Sequence, residues 1–231
     1  MKVLVPTHFG KGRTGTPART VASPREWMVQ RLQQGGLADE RVIRAMLAIE
    51  RHRFVDSALV SQAYEDTSLP IGLGQTISKP NVVARMIELL LANTSGKLGR
   101  TLEIGTGCGY QAAVLSQVCA EVYSIERLKG LYEKARENLR TLRIPNLHVM
   151  LGDGMLGYAK GAPYSAIIAA CGGEALPQAW VDQLAVGGRL VAPVASGQGV
   201  QALVVVDKMS NGLKQSMLEA VQFVPLKSGT A

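Results

Sequence analysis

The apolar residues of this chain fall into two rhythms, a helical one at the start and an alternation of strands and helices after Gly96. A short helix fits Pro24 to about Gln34, stopped by Gly35-Gly36. Asp39 is a candidate cap for a second helix, in which Val42, Ile43, Met46, Leu47 and Ile49 recur at helical spacing. Phe54 to Thr76 shows no sustained period and carries the breakers Pro70, Gly72 and Gly74, so it reads as a loop. Ser78-Lys79-Pro80 has the form of a helix start, and Val82, Val83, Met86, Ile87, Leu89 and Leu90 give the next helix a broad apolar face.

Beyond Gly96 the pattern predicts a strand over Arg100–Ile104, a helix over Tyr110–Val118 and a strand over Glu121–Ile125. A helix then covers about Leu128 to Leu142, followed by strands Leu147–Leu151 and Ser165–Ala169. Helix Gln178–Leu184 and strands Arg189–Val194, Gln201–Val206 and Leu218–Val224 complete the series. Strands alternating with helices imply an α/β fold whose parallel sheet is covered on both faces. The turn-like link Ser210-Asn211-Gly212 predicts that the last two strands form an antiparallel hairpin.

Composition narrows the class. With 231 residues, 47% of them hydrophobic and 19% charged, the chain can build a full core, and it contains no apolar run of the ~18–20 residues a membrane span requires. Three cysteines (Cys108, Cys119, Cys171) and three scattered histidines (His8, His52, His148) offer no metal-ligand spacing; free thiols and a reducing compartment are expected, and no metal. The net charge of +7 raises the question of nucleic acid. Yet Lys2, Lys11, Arg13, Arg19 and Arg25 all precede the first acidic residue, Glu26, so most of the excess sits in an N-terminal segment rich in Gly, Thr and Pro. Residues 1–24 are therefore expected to be a disordered basic tail. The run Val3-Leu4-Val5 is too short for a secretory signal. A transit peptide is compositionally possible; a cytoplasmic protein with a basic extension is the preferred reading.

The most informative unit is Glu103-Ile-Gly105-Thr-Gly107-Cys-Gly109, between a strand and a helix, with Glu126 at the end of the following strand. Glycines there let backbone approach a ligand, and a carboxylate at the neighbouring strand end accepts hydrogen bonds from both hydroxyls of a ribose. A ligand-free tight turn is the plain alternative. A dinucleotide site is the chemical one, but its GxGxxG spacing fails because the third glycine arrives one residue early and Tyr110 stands in its place. Gly152-Asp153-Gly154 closes the third strand; Asp153 is either the centre of an Asx-turn or an acceptor for an adenine amino group.

The ExGxGxG pattern resembles the first motif of S-adenosylmethionine-dependent methyltransferases. Upstream, Ala63-Tyr-Glu-Asp66, Leu69-Pro-Ile-Gly72 and Gln75-Thr-Ile-Ser78-Lys-Pro80 resemble the protein-L-isoaspartate (D-aspartate) O-methyltransferase family. So do Arg51-His-Arg-Phe-Val55, Glu103 to Tyr110, Ser124-Ile-Glu126-Arg127, Gly152-Asp-Gly154, Gly187-Gly188 and Phe223-Val-Pro-Leu226. The likeness covers about residues 25–231. It implies a Rossmann-like, doubly wound, mostly parallel sheet of the class I methyltransferase type with an N-terminal helical extension. One domain is expected, with residues 25–95 on the substrate side and 96–231 binding cofactor.

The resemblance also implies S-adenosyl-L-methionine as cofactor, S-adenosyl-L-homocysteine as product, and isoaspartyl-containing proteins and peptides as substrates. It implies Ser78 as the catalytic residue. The cofactor would be held by Gln75, Thr76, Ile77, Ser78, Glu103, Gly105, Thr106, Gly107, Glu126, Arg127, Asp153 and Gly154, with Val224-Pro-Leu226 nearby. Read locally, Ser78 is also a plain helix N-cap. A monomer with no specific nucleic-acid partner is expected. The chain departs from the family pattern at Ser165, Cys108, Cys171-Gly-Gly-Glu174 and the basic tail. Two other readings stay open: a methyltransferase for nucleic acid or a small molecule, and a binding module that keeps the fold without catalysis. The first lacks an Asn/Asp-Pro-Pro-aromatic set after Ser165–Ala169, and the second must explain why Ser78, Glu126 and Asp153 are all present.

Overall fold

The computed structural model describes residues 22–197 and 199–231. The basic segment up to residue 21 lies outside the described residues. Helix α1 (Pro24–Gln34) begins inside the expected tail: Ser23 and Glu26 form a reciprocal capping box, and Pro24 occupies the first turn. Helix α2 (Glu40–Ala48) is capped by Asp39, whose carboxylate accepts from the Arg41 amide. The stretch read as a loop is more ordered than its composition suggests. It holds two short 3₁₀ helices (Arg51–Phe54 and Ser57–Gln62) and a two-stranded antiparallel hairpin, β1 (Leu69–Gly72) and β2 (Gln75–Ile77). Leu69, Ile71 and Ile77 are buried, while Gly72, Leu73 and Gly74 all take positive φ at the tip. Strands this short leave no period for sequence reading to find.

Helix α3 (Pro80–Leu91) follows. The main sheet is built from β3 (Leu98–Ile104), β4 (Cys119–Glu126), β5 (Leu147–Leu151), β6 (Tyr164–Ala169), β7 (Leu184–Gly197), β8 (Val200–Met209) and β9 (Gly212–Val221), in the order β5-β4-β3-β6-β7-β8-β9. The first five are parallel, while β7–β8 and β8–β9 pair antiparallel, as the hairpin signal requires. Helices α4 (Tyr110–Val118), α5 (Lys129–Arg140) and α6 (Gln178–Gln183) connect the parallel strands. β7 and β8 run further at both ends than predicted, and β9 starts six residues earlier but stops at Val221 instead of Val224; antiparallel ladders carry polar residues on their exposed face, as β9 does along most of its length.

The faces are unequally covered. Residues of α1 to α5 join the larger core cluster with Val122, Ala166, Ile168 and Val191, whereas Trp180 of α6 packs with Leu102, Ile104, Ile167 and Leu190 on the other face. Helix α3 is fixed over its C-terminal half. Glu88 accepts from the amides of Ala38 and Asp39, and Arg41 donates to the carbonyls of Leu91, Thr94 and Gly96. Arg189, paired with Asp207 at 2.6 Å, donates to the carbonyls of Leu89 and Ala92 at the helix C-terminus. Strand order reverses between β3 and β6, and the crevice beyond their carboxyl ends is where open α/β sheets place ligands.

Candidate active site

Beyond those strand ends lies a cavity of about 450 Å³, within the range of small-molecule sites. Three segments enclose it. The first is the glycine turn, where Gly105, Gly107 and Gly109 have φ of 88°, 57° and 93°. A β-carbon on Gly107 would stand 3.3 Å from Ile71 Cδ1, so the turn and the hairpin meet at a position that suits glycine. The second is the β1–β2 hairpin, docked on α5 by a 2.9 Å bond from Lys134 Nζ to the Ile71 carbonyl and by Leu73 lying against Gly130. The third is the segment after β9. Gly172 N–H donates to the Val224 carbonyl and the Gly172 carbonyl accepts from Leu226 N–H, Gly229 N–H donates to Asp153 Oδ2 at 2.7 Å, and Ala231 bonds the backbone of Arg127 and Lys129.

Gln75, Thr76, Ile77, Ser78, Gly105, Thr106, Gly107, Glu126, Arg127 and Gly154 all line this cavity, with Val224, Pro225 and Leu226. Residues from Gln75 to Leu226 thus converge on one space. Glu126 is 4% exposed; one carboxylate oxygen accepts from Gly107 N–H at 2.8 Å and the other from Leu128 N–H at 2.9 Å. Each oxygen keeps a further lone pair, and the side chain is locked in place for a diol.

Glu103 and Asp153 are placed differently from their sequence reading. Glu103 is fully buried behind the turn, hydrogen-bonded to Ser124, whose hydroxyl also meets Thr106 Oγ1 at 2.6 Å. Burial raises its pKa to about 8, against the lowering effect of the Ser124 hydrogen bond, so the carboxyl is largely protonated at neutral pH. Asp153 does not line the cavity: Oδ1 accepts from Met155 N–H at 2.9 Å, making the turn that starts a 3₁₀ helix, while Oδ2 holds Gly229. Its neighbour Gly154 does reach the cavity. Ser78 departs from its local reading too. The cap position of α3 belongs to Lys79, which makes no side-chain cap bond, and Ser78 stands half-buried one residue earlier, on the cavity wall.

Sequence reasoning missed Gln111, Tyr110, Cys108 and Cys171 as cavity residues. Cys171 follows the carboxyl end of β6 beside the strand-order reversal, which is a usable signal; Gln111, the second residue of α4, gave none. Both side-chain amide atoms of Gln111 are buried without a hydrogen-bond partner, as is Glu103 Oε1. Orphan polar atoms of this kind carry a cost unless a ligand meets them. The three thiols are buried and free, and burial raises Cys108 to about 11 and Cys119 and Cys171 to about 12. Among the described residues no group of three His, Cys, Asp or Glu could hold a metal ion, and no helix is long and apolar enough to cross a membrane.

The sequence profile of the protein-L-isoaspartate(D-aspartate) O-methyltransferase family matches residues 23–231. The chain belongs to that family. It is 60% identical over 226 residues to the protein-L-isoaspartate O-methyltransferase of Methylibium petroleiphilum, covering 95% of this chain and 84% of the relative. The enzyme of Leptothrix cholodnii is 61% identical over 210 residues, covering 90% of this chain and 74% of the relative. A solved protein-L-isoaspartate O-methyltransferase superposes with a TM-score of 0.80 at 29% identity, over 88% of this chain and 66% of that one. A Plasmodium falciparum structure described as a member of the same family, in complex with S-adenosyl-L-homocysteine, superposes with a TM-score of 0.75 at 25% identity over 89% of this chain and 99% of that one.

The cavity fits such a nucleoside. It offers the locked Glu126 carboxylate with free lone pairs, the backbone of the glycine turn, and a buried Gln111 amide without a partner.

Proposed function

We propose that this chain is an S-adenosyl-L-methionine-dependent protein carboxyl O-methyltransferase that methylates the free carboxyl of L-isoaspartyl residues, and of D-aspartyl residues, in damaged proteins and peptides. The observation that carries this reading is the convergence of Glu126, the Gly105–Cys108 turn and Ser78 on one cavity at the reversal of strand order. When bound, the cofactor supplies an electrophilic methyl group on a sulfonium; the protein's task is alignment and exclusion of water.

The residues suit that task. An acceptor carboxylate, with an intrinsic pKa of ~3.3–3.9, is already ionised at pH 7 and needs no general base. His52 and His148 line no part of the cavity; they contact Tyr64 and Glu121. Ser78 donates its hydroxyl to the acceptor carboxylate and sets its line of attack. Glu126 takes the ribose, Gln111 with Glu103 behind it faces the amino-acid end, and Gly154 with Arg127 borders the base. Asp153 acts on the adenine side by holding Gly229 and the turn at Met155 rather than by offering a free carboxylate.

The product ester of an isoaspartyl carboxyl closes by attack of the following backbone nitrogen, expelling methanol and giving a succinimide. Hydrolysis of that ring returns aspartyl and isoaspartyl products, so repeated cycles repair the backbone. Residues 25–95 present substrate and contribute the Gln75–Ser78 wall, while residues 96–231 supply the rest of the cofactor site within one domain. The cavity is complete within one chain, which suits a monomer, and three free buried thiols suit a cytoplasmic setting.

The test is transfer of a labelled methyl group to a synthetic isoaspartyl peptide and to its aspartyl twin. Labelling of the isoaspartyl peptide alone supports the reading. Equal labelling of both, or labelling of neither, overturns it.

A further inference from the structure

The N-terminus of α3 carries an unexpected cap. Its first residue is Pro80, which has no N–H, and the cap residue Lys79 contributes no side-chain bond. The Asn81 N–H instead donates to Asp66 Oδ1 at 2.9 Å, from a residue fifteen positions upstream. Ser is among the best capping residues, and Ser78 lies close enough in sequence to compete for this end of the helix.

Asp66 sits on a loop that is itself clamped. The fully buried Arg51 donates from Nε to the Ala63 carbonyl at 2.9 Å and from Nη2 to the Thr67 carbonyl at 3.4 Å. Its guanidinium lies 4.9 Å from the ring centroid of Tyr110, a cavity residue. Arg31 holds the Tyr64 carbonyl at 2.6 Å, and the Tyr64 hydroxyl meets His52 Nδ1 at 2.7 Å. The backbone on either side of Asp66 is thus held by a partly buried frame, while the Asp66 side chain that reaches the helix end is itself exposed.

We propose that Asp66 is a positioning residue for methyl transfer: by capping α3 from outside, it leaves the Ser78 hydroxyl available to the substrate carboxylate. This rests on the reading of Ser78 given above. Without an acceptor at position 66, the freed Asn81 N–H draws the Ser78 hydroxyl into a local cap and withdraws it from substrate. Nothing in the role requires a charge, only an oxygen acceptor of the right length.

The experiment is a double-mutant cycle on the full chain, measuring kcat and KM with an isoaspartyl peptide and S-adenosyl-L-homocysteine affinity by calorimetry. D66A lowers kcat by about tenfold, the worth of one reassigned hydrogen bond, with cofactor affinity held within about threefold. D66N keeps the acceptor and restores kcat to within about threefold of wild type. D66A adds no further loss in the S78A background. Additive losses in that background, or D66N as impaired as D66A, overturn the role of Asp66 while leaving Ser78 intact. Normal turnover of S78A alone removes the reading of Ser78 and this proposal with it. If D66A does not fold, D66E, which keeps the charge but misplaces the acceptor, runs through the same cycle with the same expected outcomes.

Discussion

Replacing Glu126 with glutamine tests the proposed ribose contact. In the wild type each carboxylate oxygen already accepts one backbone amide, from Gly107 and from Leu128, in a setting only 4% exposed. Glutamine keeps one acceptor and turns the other into an NH₂ group. That group faces an N–H donor, so one of the two backbone bonds is lost and the side chain is pushed off its position. The charge that strengthens both ribose hydrogen bonds also disappears. A hydrogen bond to a charged group is worth ~1.5–3 kcal/mol, and with the ribose contacts halved and no longer charge-assisted the loss in cofactor binding is ~2–4 kcal/mol. At 1.36 kcal/mol per decade this raises Kd by about 30- to 1000-fold. Calorimetry with S-adenosyl-L-homocysteine measures it, and the 2′-deoxy analogue completes a cycle. The analogue binds wild type more weakly, but loses little further on E126Q. A Kd for E126Q within about threefold of wild type, or equal penalties for the analogue on both proteins, refutes a ribose at Glu126.

Three further outcomes follow from the geometry. Glu103 is protonated in the folded state up to about pH 8 but ionises near the ordinary carboxylate range when unfolded, so between those values the folded form binds more protons and stability falls as pH rises. The slope from one proton is at most ~1.4 kcal/mol per pH unit; E103Q flattens the pH profile of ligand-free unfolding over about pH 5 to 8, and an unchanged profile contradicts the assignment. Gly107→Ala forces a side chain into a φ of 57° with its β-carbon 3.3 Å from Ile71, costing ~1–2 kcal/mol and lowering Tm by roughly 2–8 °C, with weakened cofactor binding; an unchanged Tm and Kd contradict it. Cys108, Cys119 and Cys171, with thiol pKa values of about 11 to 12, resist iodoacetamide at pH 7.5 in the folded protein, and rapid alkylation of Cys108 or Cys171 would mean that the cavity is far more open than described.

How much of this was legible in the sequence depended on how local each signal was. The central sheet could be read because each strand–helix unit carries its own period: helix Tyr110–Val118 and strand Leu147–Leu151 match their predicted bounds. The hairpin over Leu69–Ile77 could not, since its strands are three and four residues long and its order comes from docking on α5 through Lys134 and Gly130. At the site, a glycine turn followed by an acidic strand end announces Glu126 because sheet pairing puts neighbouring strand ends side by side. The engagement of Asp153 by Gly229 and the capping of α3 by Asp66 depend on contacts across 76 and 15 residues and leave no mark on the local pattern. Ser78 illustrates both cases. Its neighbourhood suggests a cap, the resemblance suggests a substrate contact, and the geometry assigns the cap to another residue while keeping Ser78 on the cavity wall.

The most direct measurement is a crystal structure of the full chain with S-adenosyl-L-homocysteine. The ribose hydroxyls should lie within hydrogen-bonding distance of Glu126, and the sulfur should face Ser78 across the space between the hairpin and the glycine turn. A ribose away from Glu126, or a sulfur pointing away from Ser78, contradicts the account.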